Sequence, residues 1–279
     1  MALKINKLQK IIRNAKSIHK IQDFVLDVLF PIECLGCSES STWLCKKCFR
    51  KLKINTKQIC SHCHQNSSFG KYCSKCKQHY YLNGIWIAGN YEDRIISKLI
   101  KTLKYHFAYD LASVLGSFLS LFFKNLINQA NFIGTDLDSK LNINKFNQIK
   151  KSPQILTNLF LKKEKILIIS IPLHKKRERW RGFNQSQILA KILAKNFNIK
   201  FNNELLRIKH KTPQANLDRE NRLKNIQKCF MWNGNNLINH DIILVDDVTT
   251  TGSTLNEAAR ILKANGANEV WGLVLASGG

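Results

Sequence analysis

The sequence predicts an α/β protein built on a parallel sheet and preceded by a small cysteine-rich module. Three observations carry this. Continuous apolar runs, Ile166-Leu167-Ile168-Ile169 and Ile242-Ile243-Leu244-Val245, read as strands buried on both faces. Such runs alternate with segments of helical period, the order that lays helices against a parallel sheet. Eight of the nine cysteines fall between Cys34 and Cys76. A chain of 279 residues holds one medium core plus a module of that size.

Residues 1–30 are basic and amphipathic, with Ile11, Ile12, Ile18, Ile21 and Val25 as the apolar positions. They lack the apolar core and cleavage site of a signal peptide, and Asp23 and Asp27 argue against a presequence. A cytoplasmic location is therefore expected. No membrane insertion is expected either. The longest apolar run, Leu111 to Phe123, is short for a span and holds Ser113, Gly116, Ser117 and Ser120.

The cysteines form four Cys-x-x-Cys pairs: Cys34/Cys37, Cys45/Cys48, Cys60/Cys63 and Cys73/Cys76. Two residues between thiolates let a tight knuckle present both sulfurs to one ion, and two knuckles complete a tetrahedral site. Two structural Zn²⁺ ions are expected. Disulfides would need an oxidising compartment, for which no secretion signal speaks. Sequential pairing of the knuckles closes the shortest loops, and an interleaved arrangement is the alternative. His62, His64 and His79 are read as surface residues, because eight thiolates already satisfy two ions. The segment is too poor in apolar residues for a core of its own, so metal binding should drive its folding. Cys229, beside Phe230, reads as a core filler.

The larger domain is expected over 84–279. Its elements are a strand at Ile85-Trp86-Ile87-Ala88, a helix over 91–105 and a second helix over 111–127. A variable insertion follows at about 129–165, rich in Asn, Lys and Gln without clear period. The 166–171 strand ends at Pro172, a helix covers 185–197, and a short strand lies at 204–208. Residues 209–225 read as a polar loop. A strand over 242–248, a helix over 254–265 and a strand over 270–275 finish the chain.

The segment Val245-Asp246-Asp247-Val248-Thr249-Thr250-Thr251-Gly252-Ser253-Thr254 carries the most chemistry. Two carboxylates close a buried strand, a hydroxyl-rich turn follows, and a helix opens at Ser253 or Thr254. Thr254 and Glu257 have capping-box spacing. Backbone N–H groups at a helix start hold a phosphate, and the carboxylates accept from a ribose diol and help to hold Mg²⁺. A Walker loop is absent, as is a Gly-x-Gly-x-x-Gly after a strand. A second cationic segment, from Lys175 through Arg177 to Arg181, follows the 166–171 strand and holds five cations in seven residues.

The acidic pair and hydroxyl turn resemble the phosphoribosyl pyrophosphate (PRPP) motif of type I phosphoribosyltransferases. The resemblance implies that Asp246 and Asp247 meet the ribose, and that Thr249, Thr250, Thr251, Gly252, Ser253 and Thr254 wrap the 5′-phosphate. It also implies that Lys175, Arg177 and Arg181 form a pyrophosphate loop and that 211–222 is a lid. A narrower likeness joins four elements: the Cys₄ double zinc ribbon over 31–80, Pro172-Leu173-His174 with Arg181-Gly182-Phe183-Asn184-Gln185, Thr212-Pro213-Gln214, and the acidic motif. Together they resemble the ComF family of competence proteins. That family implies a phosphoribosyltransferase-like fold working on single-stranded DNA during natural transformation, with a DNA-uptake helicase as partner. Lys104 lies in a further family-like stretch with no role assigned. The charge of +25, from 44 basic and 19 acidic residues, agrees with a nucleic-acid partner. The alternatives are a non-catalytic PRPP- or nucleotide-binding protein, or a nucleic-acid module in which the zinc ribbon and basic surface act alone. Glutamine-dependent amide transfer is not expected, since no glutaminase domain or N-terminal catalytic cysteine is visible.

Overall fold

The computed structural model describes residues 32–105, 110–132, 153–209 and 228–278. The basic N-terminal segment, most of the insertion and the 211–222 lid lie outside the described residues. The chain divides into two compact units, Met1–Leu52 and Lys53–Gly279.

In the first unit Cys34, Cys37, Cys45 and Cys48 gather around the short helix α1 (Lys46–Arg50), with all four sulfurs within 4.8 Å of one another. Cys60, Cys63, Cys73 and Cys76 gather in the same way in the larger unit, beside α2 (Ser74–Lys77). Cys37 Sγ lies 3.7 Å from Cys45 Sγ, and Cys63 Sγ lies 3.7 Å from Cys73 Sγ. A tetrahedral Zn²⁺ with bonds of about 2.3 Å spaces its sulfurs by about 3.8 Å, so both quartets fit that ion. The sequential pairing is the one adopted. No histidine joins either quartet among the described residues; His62 instead meets the Tyr80 hydroxyl at 2.8 Å.

The two quartets share one electrostatic pattern. Burial pushes the Cys34 and Cys60 thiols up, but surrounding backbone N–H donors outweigh it and bring them down to about 6 and about 7. Burial and then the neighbouring thiols push Cys48 and Cys76 up to about 12. Four thiolates cannot coexist there unaided, and a dication removes the conflict.

The larger unit is a five-stranded sheet of β1 (Gly84–Asn90), β2 (Ile166–Ser170), β3 (Lys200–Asn202), β6 (Asp241–Thr249) and β7 (Val270–Ser277). Their order is β1-β7-β6-β2-β3, and every pair is parallel. β4 (Leu205–Arg207) and β5 (Phe230–Trp232) form a separate antiparallel pair. β3 has no apolar run and escaped the sequence reading. The sheet core is aromatic at one edge, where Trp86 stacks on Trp271 at 4.7 Å.

Helices α3 (Arg94–Tyr105), α4 (Leu111–Phe132), α5 (Gln154–Leu161), α6 (Lys175–Arg181), α7 (Gln185–Phe197) and α8 (Ser253–Ala264) complete the unit. α3 starts after Asp93, whose Oδ1 accepts from the N–H groups of Ile95 and Ile96. α4 runs further than its apolar stretch implied. By length and composition it is a helix that could cross a membrane, but Leu115, Phe118, Leu119, Phe122 and Phe123 are buried and it packs on β1, β7 and α7. The expected insertion is helical at both ends, where α4 continues to Phe132 and α5 begins at Gln154.

Two local expectations are corrected. The basic 175–181 segment is a helix, because the ring of His174 accepts from Lys176 N–H to cap it and Gly182, at φ 78°, ends it. The capping box at Thr254 is not formed. Gly252 is the cap, and buried Glu257 turns away to accept from Lys228 N–H and Arg260.

The second quartet belongs to the larger core. Cys60, Tyr72, Cys76 and Leu82 pack in one cluster with Ile85, Leu244, Leu255, Ala258 and Ala259. Elemental analysis should therefore find two Zn²⁺ per chain, and Cys34→Ser and Cys60→Ser should each lose one. Only Cys60→Ser should also lower the main thermal transition, by about 10 °C or more, because it opens the sheet core. Equal melting temperatures for the two variants would contradict this placement.

Candidate functional site

In an open parallel sheet, ligands sit outside the carboxyl ends of the strands where the chain turns in opposite directions. Here β2 leads outward to β3, and β6 leads the other way to β7. The crevice between the ends of β2 and β6 is that point. Ser170 ends β2 opposite Val245, and Asp246 and Asp247 follow directly on β6.

Successive strand residues point to opposite faces, so the two carboxylates have different surroundings. Asp247 is only 5% exposed. Its Oδ1 pairs with Lys104 Nζ at 3.0 Å and accepts from Val248 N–H, and its Oδ2 accepts from Gln185 Nε2 at 2.6 Å. Gln185 in turn accepts from buried Arg181 Nη1 at 2.5 Å. Asp246 is half-buried, and its Oδ1 accepts from Ser186 Oγ at 2.7 Å and from Asp247 N–H at 2.9 Å. Burial, and then the Asp247 charge, raise Asp246 to about 7, with Ser186, the Asp247 N–H and Lys104 opposing.

Asn184 delivers Gln185 and Ser186 to the acids. Its Oδ1 accepts from Ser186 N–H to cap α7, and its Nδ2 donates to Ile171 O at the end of β2. Ser170, 2% exposed, has an Oγ with no hydrogen-bond partner and lies at the same strand end.

Past the acids the chain makes the hydroxyl turn. Thr249 is buried and its carbonyl accepts from Gly278 N–H. Thr251 Oγ1 donates to Ser253 Oγ and accepts from Ser253 N–H. Gly252 adopts φ 71°, and a Cβ there would lie 3.1 Å from Ile85 Cδ1 and 3.4 Å from the Tyr72 hydroxyl. Glycine is therefore required by both conformation and space. The first turn of α8 opens beyond it, an arrangement suited to a phosphate.

The expected site residues are thus partly gathered. Asp246, Asp247 and 249–254 form one continuous edge. Lys175 is exposed on α6 and Arg177 is half-buried. Arg181 faces inward to Gln185 rather than joining the exposed cations. Lys104, Gln185, Ser186 and Ser170 were given no role from sequence. The Arg181-Gly182-Phe183-Asn184-Gln185 motif held one neighbour of the acids, Gln185, and the family-like stretch held another, Lys104.

Comparisons with known proteins agree with this architecture. The double zinc ribbon domain matches residues 25–77, and the phosphoribosyl transferase domain matches residues 184–279. Competence protein F of Haemophilus influenzae is 39% identical over 114 residues, 39% of this chain and 50% of that protein. Competence protein ComFC of Bacillus subtilis is 38% identical over 104 residues, 36% of this chain and 39% of that protein. DNA utilization protein YhgH of Escherichia coli strain K12 is 36% identical over 107 residues, 37% of this chain and 47% of that protein. The matched stretch spans half or less of each relative.

The raised Asp246 has a consequence for stability. Its folded value, about 7, exceeds the ordinary carboxylate value, so the unfolded chain releases this proton more readily. Asp246 therefore stabilises the fold fully only below about pH 4, and that contribution is lost as pH rises through about 7. Asp246→Asn removes the charge. It should raise the melting temperature at pH 8 relative to wild type, with the gain shrinking toward pH 5. A gain that is equal at pH 5 and pH 8 would refute the shift.

Proposed function

We propose that this chain, which is similar to the competence proteins in its double zinc ribbon ahead of a phosphoribosyl transferase domain, binds Mg²⁺-PRPP and acts on single-stranded DNA during its uptake. The observation that carries the ligand is the continuous edge from Asp246 through Gly252 to the start of α8. The half-buried Asp246 accepts from the ribose diol. The loop N–H groups and the hydroxyls of 249–254 receive the 5′-phosphate. Asp247, locked by Lys104 and Gln185, fixes the strand end that presents both.

The reaction this edge supports is phosphoribosyl transfer, in which a nucleophile attacks the anomeric carbon and pyrophosphate leaves. The chain's own contribution is positioning and charge stabilisation. Asp246 fits a divalent cation as a hard oxygen ligand, and Mg²⁺ supplies neutralisation of the pyrophosphate charge. Lys175 and Arg177 stand on α6, after the neighbouring strand, as cations for the same anion.

The DNA half of the proposal rests on the net charge of +25 and on the names of the relatives. Affinity for single-stranded DNA should fall steeply with salt as counterions are released on binding. Heparin competing equally at matched charge would remove that half.

For the ligand half, calorimetry with Mg²⁺-PRPP should give saturable binding to the zinc-loaded protein. The double variant Asp246→Ala, Asp247→Ala should weaken it by roughly 1–3 kcal/mol or more, the range of hydrogen bonds to charged groups. Equal affinity for variant and wild type would reject the assignment.

A further inference from the structure

The hydroxyl turn rests on the chain that carries the second cysteine quartet, and every residue involved lies within the Lys53–Gly279 unit. Tyr72 directly precedes Cys73 and is 5% exposed. Its hydroxyl lies on the side of Gly252 where a side chain would stand, 3.4 Å from that Cβ position, and Thr249 Oγ1 lies 4.0 Å from the same point. Gly252 is the cap of α8, so the backbone N–H groups that open the helix follow directly from it. One turn on, Asn256 Oδ1 accepts from Tyr81 N–H at 2.8 Å and from Leu82 N–H at 3.4 Å. The first turn of α8 is thus bordered at Gly252 by Tyr72 and fastened at Asn256 to the chain that follows Cys76.

Tyr72 in turn is placed by both knuckles of the quartet. Its ring stacks on Tyr80 at 4.1 Å, with the planes 10° apart. The Tyr80 hydroxyl meets His62 Nδ1 at 2.8 Å, and those two rings lie edge to face at 5.5 Å. His62 sits inside the Cys60–Cys63 knuckle, whereas Tyr72 and Tyr80 flank the Cys73–Cys76 knuckle. The ladder from His62 through Tyr80 to Tyr72 therefore joins the same two knuckles that one ion joins through their sulfurs, whose spacing fits Zn²⁺. When the ion leaves, the knuckles are free to separate, and the stacked rings move with them. Hydrogen bonds from backbone N–H groups weaken steeply with misalignment, so a displaced Gly252 loses hold on a phosphate.

We propose that Tyr72 is a positioning residue for the hydroxyl turn, and that through it the second cysteine quartet and the turn are coupled, each binding its ligand more tightly when the other is filled. The coupling rests on the reading of the 249–254 turn as a sugar-phosphate site, which it extends to the metal. By linkage the factor is the same in both directions, so the phosphate tightens the metal as much as the metal tightens the phosphate.

The test uses the full zinc-loaded chain, with ribose 5-phosphate as the probe and a competing chelator to draw out the metal. Calorimetry first measures binding of the probe to wild type. Saturating ribose 5-phosphate should then make one of the two ions at least about fivefold harder to remove. Cys34→Ser, which keeps only the second quartet, assigns the protected ion, because it should retain that protection. Tyr72→Phe keeps the stack on Tyr80 and every metal ligand, and removes the hydroxyl over Gly252. It should hold two Zn²⁺ and melt with wild type when unliganded. It should also bind ribose 5-phosphate at least about fivefold more weakly, with the protection of the ion reduced by the same factor. A purely structural tyrosine would instead lower the unliganded melting temperature and leave the protection intact. That result, or metal release that is the same with and without ribose 5-phosphate, would overturn the coupling. Failure of ribose 5-phosphate to bind wild type would overturn the sugar-phosphate reading itself, and it appears in the first measurement, so the two failures are distinct.

Discussion

Asp247 is a buried carboxylate that several elements meet to hold. Lys104 reaches it from α3, Gln185 from α7, and Arg181 supports Gln185 from the end of α6. Removing any one partner would leave charge or a polar group unpaired in a dry site, which is more costly than the net gain from the pair. The network therefore constrains where α3 and α6 end and where α7 begins relative to β6. Beside it, Asp246 is raised to about 7 by burial and then by the Asp247 charge. A half-exposed acid beside an anchored acid gives two adjacent, chemically identical residues different surroundings.

A second constraint ties the second cysteine quartet to the hydroxyl turn. Tyr72 directly precedes Cys73, and its hydroxyl lies 3.4 Å from where a Cβ on Gly252 would stand. Asn256 Oδ1 on α8 accepts from the N–H groups of Tyr81 and Leu82. Helix α8 is thus fastened to the chain that leaves the second cysteine quartet. The Cys60–Cys76 quartet is a structural part of the larger unit, and the first quartet is organised within residues 1–52. The two sites are chemically alike, yet they are built into different units of the chain.

Much of this was legible in the chain because it depends on short-range pattern. Branched apolar runs specify strands buried on both faces, so β2 and β6 were readable, and β3, with Lys200 and Asn202 around Phe201, was not. Cys-x-x-Cys spacing specifies a knuckle by local geometry, and shortest-loop closure led to the correct quartets. The acidic pair, the hydroxyl turn and Gly252 are contiguous, so their chemistry travels with the sequence. Tertiary structure decided what contiguity cannot. Glu257 had the spacing of a capping partner, but Lys228 and Arg260 offered it better donors in the fold. Arg181 had the composition of a solvent-facing cation, but packing turned it to Gln185. Lys104 acquired meaning only when the fold brought it to Asp247, more than a hundred residues further along the chain. The sequence by itself determined most of the elements and the acidic motif with its hydroxyl turn, because these rest on neighbours along the chain. The fold alone determined which charges are matched and which are left open, because pairing depends on distance in space.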